Sequence, residues 1–299
     1  MLRQFAKFAS KTNYPRMKNS EIIGLSICLS GLFLVTGCNH KAGVTKNAIT
    51  FDSITVTETY HMFDDETQPS CDLGIQFVFP SDYKDEEVLR SLQQLFITAY
   101  FGPEYAGLTP QEAVDEYIEQ YIAHYKSLEP DYIKEKDTLG YEDDEDVPFF
   151  SFSEYSKSYI QFNAGDILSF VVHRFAYTGG VHGSTSISAQ IADISTGKLL
   201  QGNDIFNEND HDKIAELIVQ QLMVDYEVTQ AEDLVNVGFF DVNTIVANEN
   251  FFADDSGITF IYNQYEIAPY VMGTIEVSLS YDAIKPYIKK SSLLRKFVE

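Results

Sequence analysis

The chain has 299 residues, 45 acidic against 21 basic, for a formal charge of −24, with 44% hydrophobic and 14% aromatic side chains. That apolar share excludes a disordered or collagen-like chain, and three cysteines exclude a disulfide-dense scaffold. So acidic a chain has too little Lys and Arg to neutralise a phosphate backbone, which excludes nucleic acid as a partner. The length accommodates one large domain or two smaller ones.

Residues 22–35, IIGLSICLSGLFLV, are almost wholly apolar and follow Arg16 and Lys18. The run is shorter than the roughly 20 residues of a membrane span and has the length of an export-signal core. It leads into Leu34-Val35-Thr36-Gly37-Cys38, small residues before a cysteine, which resembles a bacterial lipobox. The expectation is a lipoprotein signal over residues 1–38, with Cys38 acylated as the first mature residue and Met17 as an alternative start. Each buried methylene contributes about 0.8 kcal/mol, so two or three acyl chains anchor a protein permanently. The folded body is then membrane-attached outside the cytoplasm, in the periplasm or at the cell surface. Cleavage leaves 16 basic against 44 acidic residues, a charge of −28, and Cys71 as an unpaired, packed or rim thiol.

Residues 39–48 are mostly small and polar and read as a flexible tether. Residues 49–60 and 73–79 alternate with period two and predict half-buried strands, the second ended by Pro80. Apolar residues at helical spacing over 88–100 predict a helix stopped by Gly102-Pro103. Thr109, Pro110 and Glu112 supply N-cap, N1 and N3 of a capping box. The helix it opens carries an apolar stripe of Val114, Tyr117, Ile118, Tyr121, Ile122 and Tyr125. The acidic run 142–146 reads as a solvated loop without calcium-loop spacing. Residues 149–178 predict an aromatic-rich hairpin turning at Asn163-Ala164-Gly165-Asp166. A strand over 185–194 follows, with Ile187, Ala189 and Ile191 on one face, and then a helix built on Ile214, Leu217, Ile218 and Leu222. A second hairpin turns at 254–257, residues 274–279 form a last strand, and 282–290 a closing helix. Local strand pairing with helices between predicts an α+β fold, antiparallel β-sheets with helices packed on one side.

Metalloprotease, serine-hydrolase, phosphate-loop, paired Cys-x-x-Cys and dinucleotide patterns are all missing, and the histidines lack metal-ligand spacing. No catalytic residue, metal or cofactor is predicted. The most conspicuous element is Tyr177-Thr178-Gly179-Gly180-Val181-His182-Gly183-Ser184, whose three glycines suggest positive φ or close backbone approach. It is either a tight turn in which His182 bonds to backbone, or a site. As a site, it offers His182 and Ser184 as base and nucleophile on one strand face, or loop amides for an anion. Residues 262–270 place Glu266 among three tyrosines. That carboxylate either fixes a strand-to-loop crossing or does acid/base work at a raised pKa.

Residues 177–183, then Asp193-Ile194-Ser195-Thr196-Gly197-Lys198 with Asp204-Ile205-Phe206, then Asn250-Phe251-Phe252, and finally Tyr265-Glu266-Ile267-Ala268-Pro269-Tyr270 with Gly273 resemble, in this order, the bacterial DUF3298 domain family. Residues from about 50 to 176 are similar to the DUF4163 region that commonly precedes it, which sets expected boundaries of 49–180 and 181–299. The resemblance implies an envelope-facing binding module: in that family it occurs in an anti-sigma factor that captures lysozyme, and ahead of the catalytic domain of a peptidoglycan deacetylase. Here a lipobox stands where the first would need a membrane span, and the chain stops at Glu299 without the second's catalytic domain. The expected function is therefore a non-enzymatic lipoprotein that binds a lysozyme-like cationic protein. The alternatives are a binder of peptidoglycan fragments, stacking sugars on the 149–178 hairpin, and a hydrolase built on His182, Ser184 and Glu266. Tyr177, Gly179, Gly180, His182, Gly183, Tyr265, Glu266 and Tyr270 are the candidate binding positions.

Overall fold

Alternating apolar and polar residues build most of a six-stranded sheet in this computed structural model, which describes residues 44–139 and 149–298. The lipobox with Cys38 and the acidic run 142–146 lie outside the described residues. Strand β1 (Thr50–His61) pairs antiparallel with β2 (Ser70–Asp82). Helices α1 (Glu86–Phe101), α2 (Pro110–Lys126) and α3 (Glu129–Leu139) follow. Strands β3 (Phe152–Ala164), β4 (Ile167–Thr178), β5 (Ser184–Asp193) and the short β6 (Lys198–Leu199) then meander antiparallel, giving the order β1-β2-β3-β4-β5-β6. The β3–β4 turn has φ of 62° at Gly165 and 63° at Asp166. Two successive positive values are what a two-residue hairpin needs to match strand twist. The boundary expected at 180/181 falls between β4 and β5, which pair over ten positions.

One pairing departs from the antiparallel expectation: β2 and β3 run parallel, in register from Cys71 with Phe152 to Gln76 with Lys157, with α1, α2 and α3 as the crossover. Where the backbone ladder stops, hydroxyls continue it. Tyr100 Oη accepts from the Gln76 amide (3.1 Å) and donates to the Ser156 carbonyl (2.8 Å). Ser158 Oγ accepts from Val78 N (2.7 Å) and donates to Val78 O (3.1 Å). Ser156 Oγ itself donates to Tyr100 Oη (2.9 Å), so the burial of Ser156 and Ser158 is compensated. The divergence of β3 also explains why Pro80 does not end β2. The Pro80 carbonyl accepts from Gln93 Nε2 on the side away from β1, so its missing N–H faces the side that β3 has left.

A second sheet, β7 (Phe251–Ala253), β8 (Gly257–Tyr262) and β9 (Ile275–Ser280), is antiparallel throughout. It follows the four-residue α4 (Gly202–Ile205) and the longer α5 (His211–Asp225). Each sheet carries helices on one side. Leu73, Ile75, Phe77, Phe170 and Val172 of the large sheet pack under Leu92, Phe96 and Tyr100 of α1 and Val114 of α2. Phe260, Val277 and Leu279 of the small sheet pack under Ile214, Ile218 and Leu222 of α5. The sheets meet where Val171, Ile187 and Ala189 contact Ile261 and Phe252, so all six residues of β8 are buried. The remainder of that large-sheet face is open: Thr55, Thr57, Thr59, Tyr155 and Tyr159 are exposed on it.

The capping box is present as read, with Thr109 N and Oγ1 both 2.8 Å from Glu112 Oε2. Thr109→Ala is expected to cost about 1 kcal/mol, read as a lower urea midpoint at unchanged slope. Two helices differ from expectation. The closing helix is a single turn, α6 (Tyr281–Ile284), because Pro286 cannot donate an intrahelical bond and its ring crowds the preceding turn. Conversely, α3 forms although it has no apolar stripe, with Pro130 harmless in its first turn and Tyr132 buried beside Met62 and Cys71. Burial pushes the Cys71 thiol up to about 11, so it behaves as a packed, unreactive group.

Candidate functional site

Strand β5 is bonded to β4 along its length, but β6 covers its other edge only at Ala192 and Asp193. Side-chain amides take over the rest of that edge. Asn250 Oδ1 accepts from Ala189 N (2.7 Å), and its Nδ2 donates to Ile187 O (2.9 Å) and Ile261 O (3.2 Å). Asn263 Oδ1 accepts from Ile187 N (2.7 Å) while its Nδ2 donates to Ile187 O (3.0 Å), and Gln264 Oε1 accepts from Thr185 N (3.1 Å). An exposed strand edge is thereby closed without another strand. The clamp also fixes the 263–270 loop beside residues 182–184.

The glycine-rich loop is held to that second loop. The His182 ring lies on Tyr270 with centroids 3.9 Å apart, and Tyr270 Oη donates to Gly183 O (2.7 Å). Tyr265 continues the row, 5.9 Å from Tyr270. Gly179 has φ of 78°, and a Cβ there would collide with the Phe149 carbonyl. Gly183 is needed because a Cβ would strike the Phe175 ring. Gly180 has neither requirement: its φ is not positive and its surroundings are open. Phe175 in turn stands 6.4 Å from Tyr155 at 24°, and the Tyr155 ring presses on Gly74, where a Cβ would sit 2.7 Å from Cδ1.

His182, Gly183, Tyr265 and Tyr270 are thus brought together; Gly179 anchors the loop's other end, and Tyr177 lies half-exposed in β4 opposite Ser153. Glu266 does not join them. It is exposed, and its carboxylate takes a long 3.5 Å bond from Asn248 while its negative charge bears on Tyr262. His182 precedes β5, so it shares no strand face with Ser184, and its Nδ1 is engaged with Gly183 O (3.1 Å). No hydrogen bond links His182 to Ser184 or to Glu266, so the base–nucleophile arrangement is not assembled. Among the described residues no group of three or more His, Cys, Asp or Glu is placed to hold a metal. The amide clamp escaped sequence reasoning, although its signal is visible: Asn250 and Asn263 flank the apolar strands β7 and β8.

Two sheets face to face, helices on their outer sides and an amide-closed edge joining two loops define an α+β protein with an exposed ring cluster. The chain belongs to the DUF3298 family. It is 32% identical to a DUF3298 family member from Bacteroides fragilis NCTC 9343, with a TM-score of 0.78 over 84% of this chain and 98% of that one. A DUF3298 family protein from Pseudomonas aeruginosa PAO1 shares the fold at 14% identity, with a TM-score of 0.57 over 82% of this chain and 97% of that one. Residues 203–282 match the family described as a protein of unknown function, DUF3298, and residues 78–185 match the one described as Deacetylase PdaC. No curated protein is significantly similar to the chain.

Proposed function

We propose that this protein is a non-enzymatic lipoprotein of the bacterial envelope, anchored through Cys38, whose DUF4163-like and DUF3298 regions together bind a lysozyme-like cationic protein. The observation that carries the reading is charge: −24 for the chain and −28 after removal of residues 1–37. Much of it is displayed on the folded body. Asp85, Glu86 and Glu87 at the start of α1 and Glu112, Asp115, Glu116 and Glu119 along α2 are all exposed. Such a surface steers basic proteins toward it and repels anionic lipids and polymers. The absence of a His182–Ser184 hydrogen bond weighs against the hydrolase reading. No helix among the described residues is long and apolar enough to cross a membrane.

Immobilised protein should retain a basic muramidase at low salt and release it as salt rises, because screening shortens from about 30 Å at 0.01 M to about 3 Å at 1 M. No retention at the lowest ionic strength would dismiss that partner. The peptidoglycan-fragment reading has its own support in the exposed rings of the large sheet.

A further inference from the structure

We infer that the outer edge of β1 is a docking site for an extended, basic segment of a partner protein, which adds to the large sheet as a further strand. The inference goes beyond capture of a folded cationic protein and does not depend on it, since what is held is an unfolded segment, gripped by its backbone. The two edges of the large sheet are treated differently. Side-chain amides close β5, whereas among the described residues no strand pairs with the outer side of β1 along its twelve residues. The direction of its free groups follows from β2. Val78 N and O are both taken by Ser158 Oγ, and Gln76 N by Tyr100 Oη, on the side of β3. Residues directly opposite in an antiparallel pair turn their backbone groups either toward each other or both away, and the β1 partners of Val78 and Gln76 are Ser53 and Thr55. Ser53 and Thr55, and by period two Thr57 and Thr59, therefore point N–H and C=O out of the sheet. Of these, Ser53 N is bonded locally to Asp52 Oδ1 (2.7 Å). Such an edge is a template for strand addition. Strand β1 carries no Pro, Lys or Arg to block it, and its one register shift lies at the end, between Thr50 and Phe51.

Side chains along the edge select the occupant. On the helix-bearing face Asp52, Ile54, Val56 and Glu58 alternate along the strand, the apolar pair half-buried against the core under α1 and α2 and the two acids exposed. Ser53, Thr55 and Thr57 stand exposed on the other face. Residues directly opposite across a strand pair interact, and like charges there are unfavourable. A second copy of β1 is thereby excluded as the best fit. The antiparallel register that sets Ile54 against Val56 of the second copy also sets Asp52 against its Glu58, and a slip of two residues either way sets a carboxylate against Ile54 or Val56. The net charge of −24 on each copy adds to that repulsion. The complementary strand carries a basic residue opposite Asp52 and Glu58, β-branched apolar residues opposite Ile54 and Val56, and hydroxyls between them: Lys-Thr-Val-Thr-Val-Thr-Lys. Further charges flank these seven positions. Asp82 lies opposite Thr50, and Asp72 accepts from Thr59 Oγ1 (2.7 Å), both favouring a basic segment. The opposing cation is Lys126, 4.3 Å from the Tyr60 ring and past Glu58.

The test is fluorescence anisotropy of that labelled heptapeptide, capped at both ends, with the purified protein. Binding should tighten about tenfold as salt falls from about 0.15 M to about 0.01 M. In antiparallel addition the three threonines exchange bonds with Ser53, Thr55 and Thr57, so N-methylation of those threonines should weaken binding about tenfold. Thr55→Pro removes one outward N–H while leaving the bonds to β2, and should have a similar effect at unchanged circular dichroism. Asp52→Asn combined with Glu58→Gln should weaken binding and flatten its salt dependence. Absence of binding at the lowest salt would overturn the inference. Equal affinity for the N-methylated peptide, which needs no variant of the protein, would also overturn it by reducing the contact to charge attraction. A dimer in sedimentation that Thr55→Pro dissociates would overturn it too, by giving the edge to a second copy. Salt-sensitive retention of a muramidase without peptide binding would end the inference and leave the cationic-protein reading standing; peptide binding without such retention would do the reverse.

Discussion

Replacing Asn250 by alanine should lower the stability of the protein by about 3 kcal/mol, the sum of lost bonds and of groups left unpaired. One side chain satisfies Ala189 N, Ile187 O and Ile261 O, and those three groups belong to β5 and β8, strands of different sheets. Without the amide, Ala189 N–H has no partner on a part-buried edge, while Ile187 O keeps Asn263 Nδ2 and Ile261 O keeps Asn248 Nδ2. For a domain of this size the loss corresponds to about 6–12 °C in the unfolding midpoint. Asn250→Asp separates the clamp from mere volume. An aspartate keeps the acceptor for Ala189 N but turns the donor toward two carbonyls into a second oxygen, so it should be no better than alanine. A midpoint in Asn250→Asp equal to that of the unaltered protein would show that the donated bonds carry no weight.

Alkaline unfolding should be steep and should begin near pH 10. Burial raises the Tyr100 phenol from the ordinary 10.0 to about 12, and burial likewise pushes Tyr117, Tyr121, Tyr125, Tyr262 and Tyr281 upward, with Glu154 adding to the rise at Tyr117. A group whose folded pKa lies above its unfolded value contributes fully below the unfolded value. That contribution is lost as pH climbs through the folded one. For Tyr100 alone roughly 3 kcal/mol of stability is lost between the two values, and the loss is complete at pH above both. With several such groups in two cores, phenolate absorbance and loss of far-ultraviolet dichroism should rise together in one transition. Titration of the full complement of tyrosines near pH 10 with unchanged dichroism would contradict the burial of these phenols.

Elements whose instructions lie within a few residues were legible before the fold was known. The capping box of α2, the Gly165-Asp166 turn and the alternation of β1 and β5 each rest on neighbours in the chain. The parallel β2–β3 pairing was not, since nothing local distinguishes a strand that returns to its hairpin partner from one that waits for a segment beyond three helices. Pro286 shows a different failure: the residue that ends α6 stands inside the expected 282–290 helix, and its missing N–H stops the helix whatever its neighbours favour. At the candidate site, Gly179 and Gly183 answered to the expected backbone constraints, whereas Gly180 did not. Stacking of His182 on Tyr270 joins loops far apart in sequence, and no spacing rule reaches that far. Glu266 shared a segment with Tyr265 and Tyr270 but turned toward Asn248, because adjacent residues of a loop need not point the same way.

The parallel pairing divides the large sheet into two ribbons, β1–β2 and β3 to β6, each assembled from chain neighbours and joined by backbone pairing over Cys71–Gln76 and Phe152–Lys157, with the Tyr100 and Ser158 hydroxyls extending the join. During synthesis the first ribbon is complete some seventy residues, roughly, before its inner edge can be covered, so the nascent chain carries an unpaired strand through that interval. Helices α1 and α2, emerging next, can already shield the apolar face of that ribbon. Docking of the later ribbon is then expected to be the slow event in refolding, and a chaperone that recognises extended segments would find its opening there.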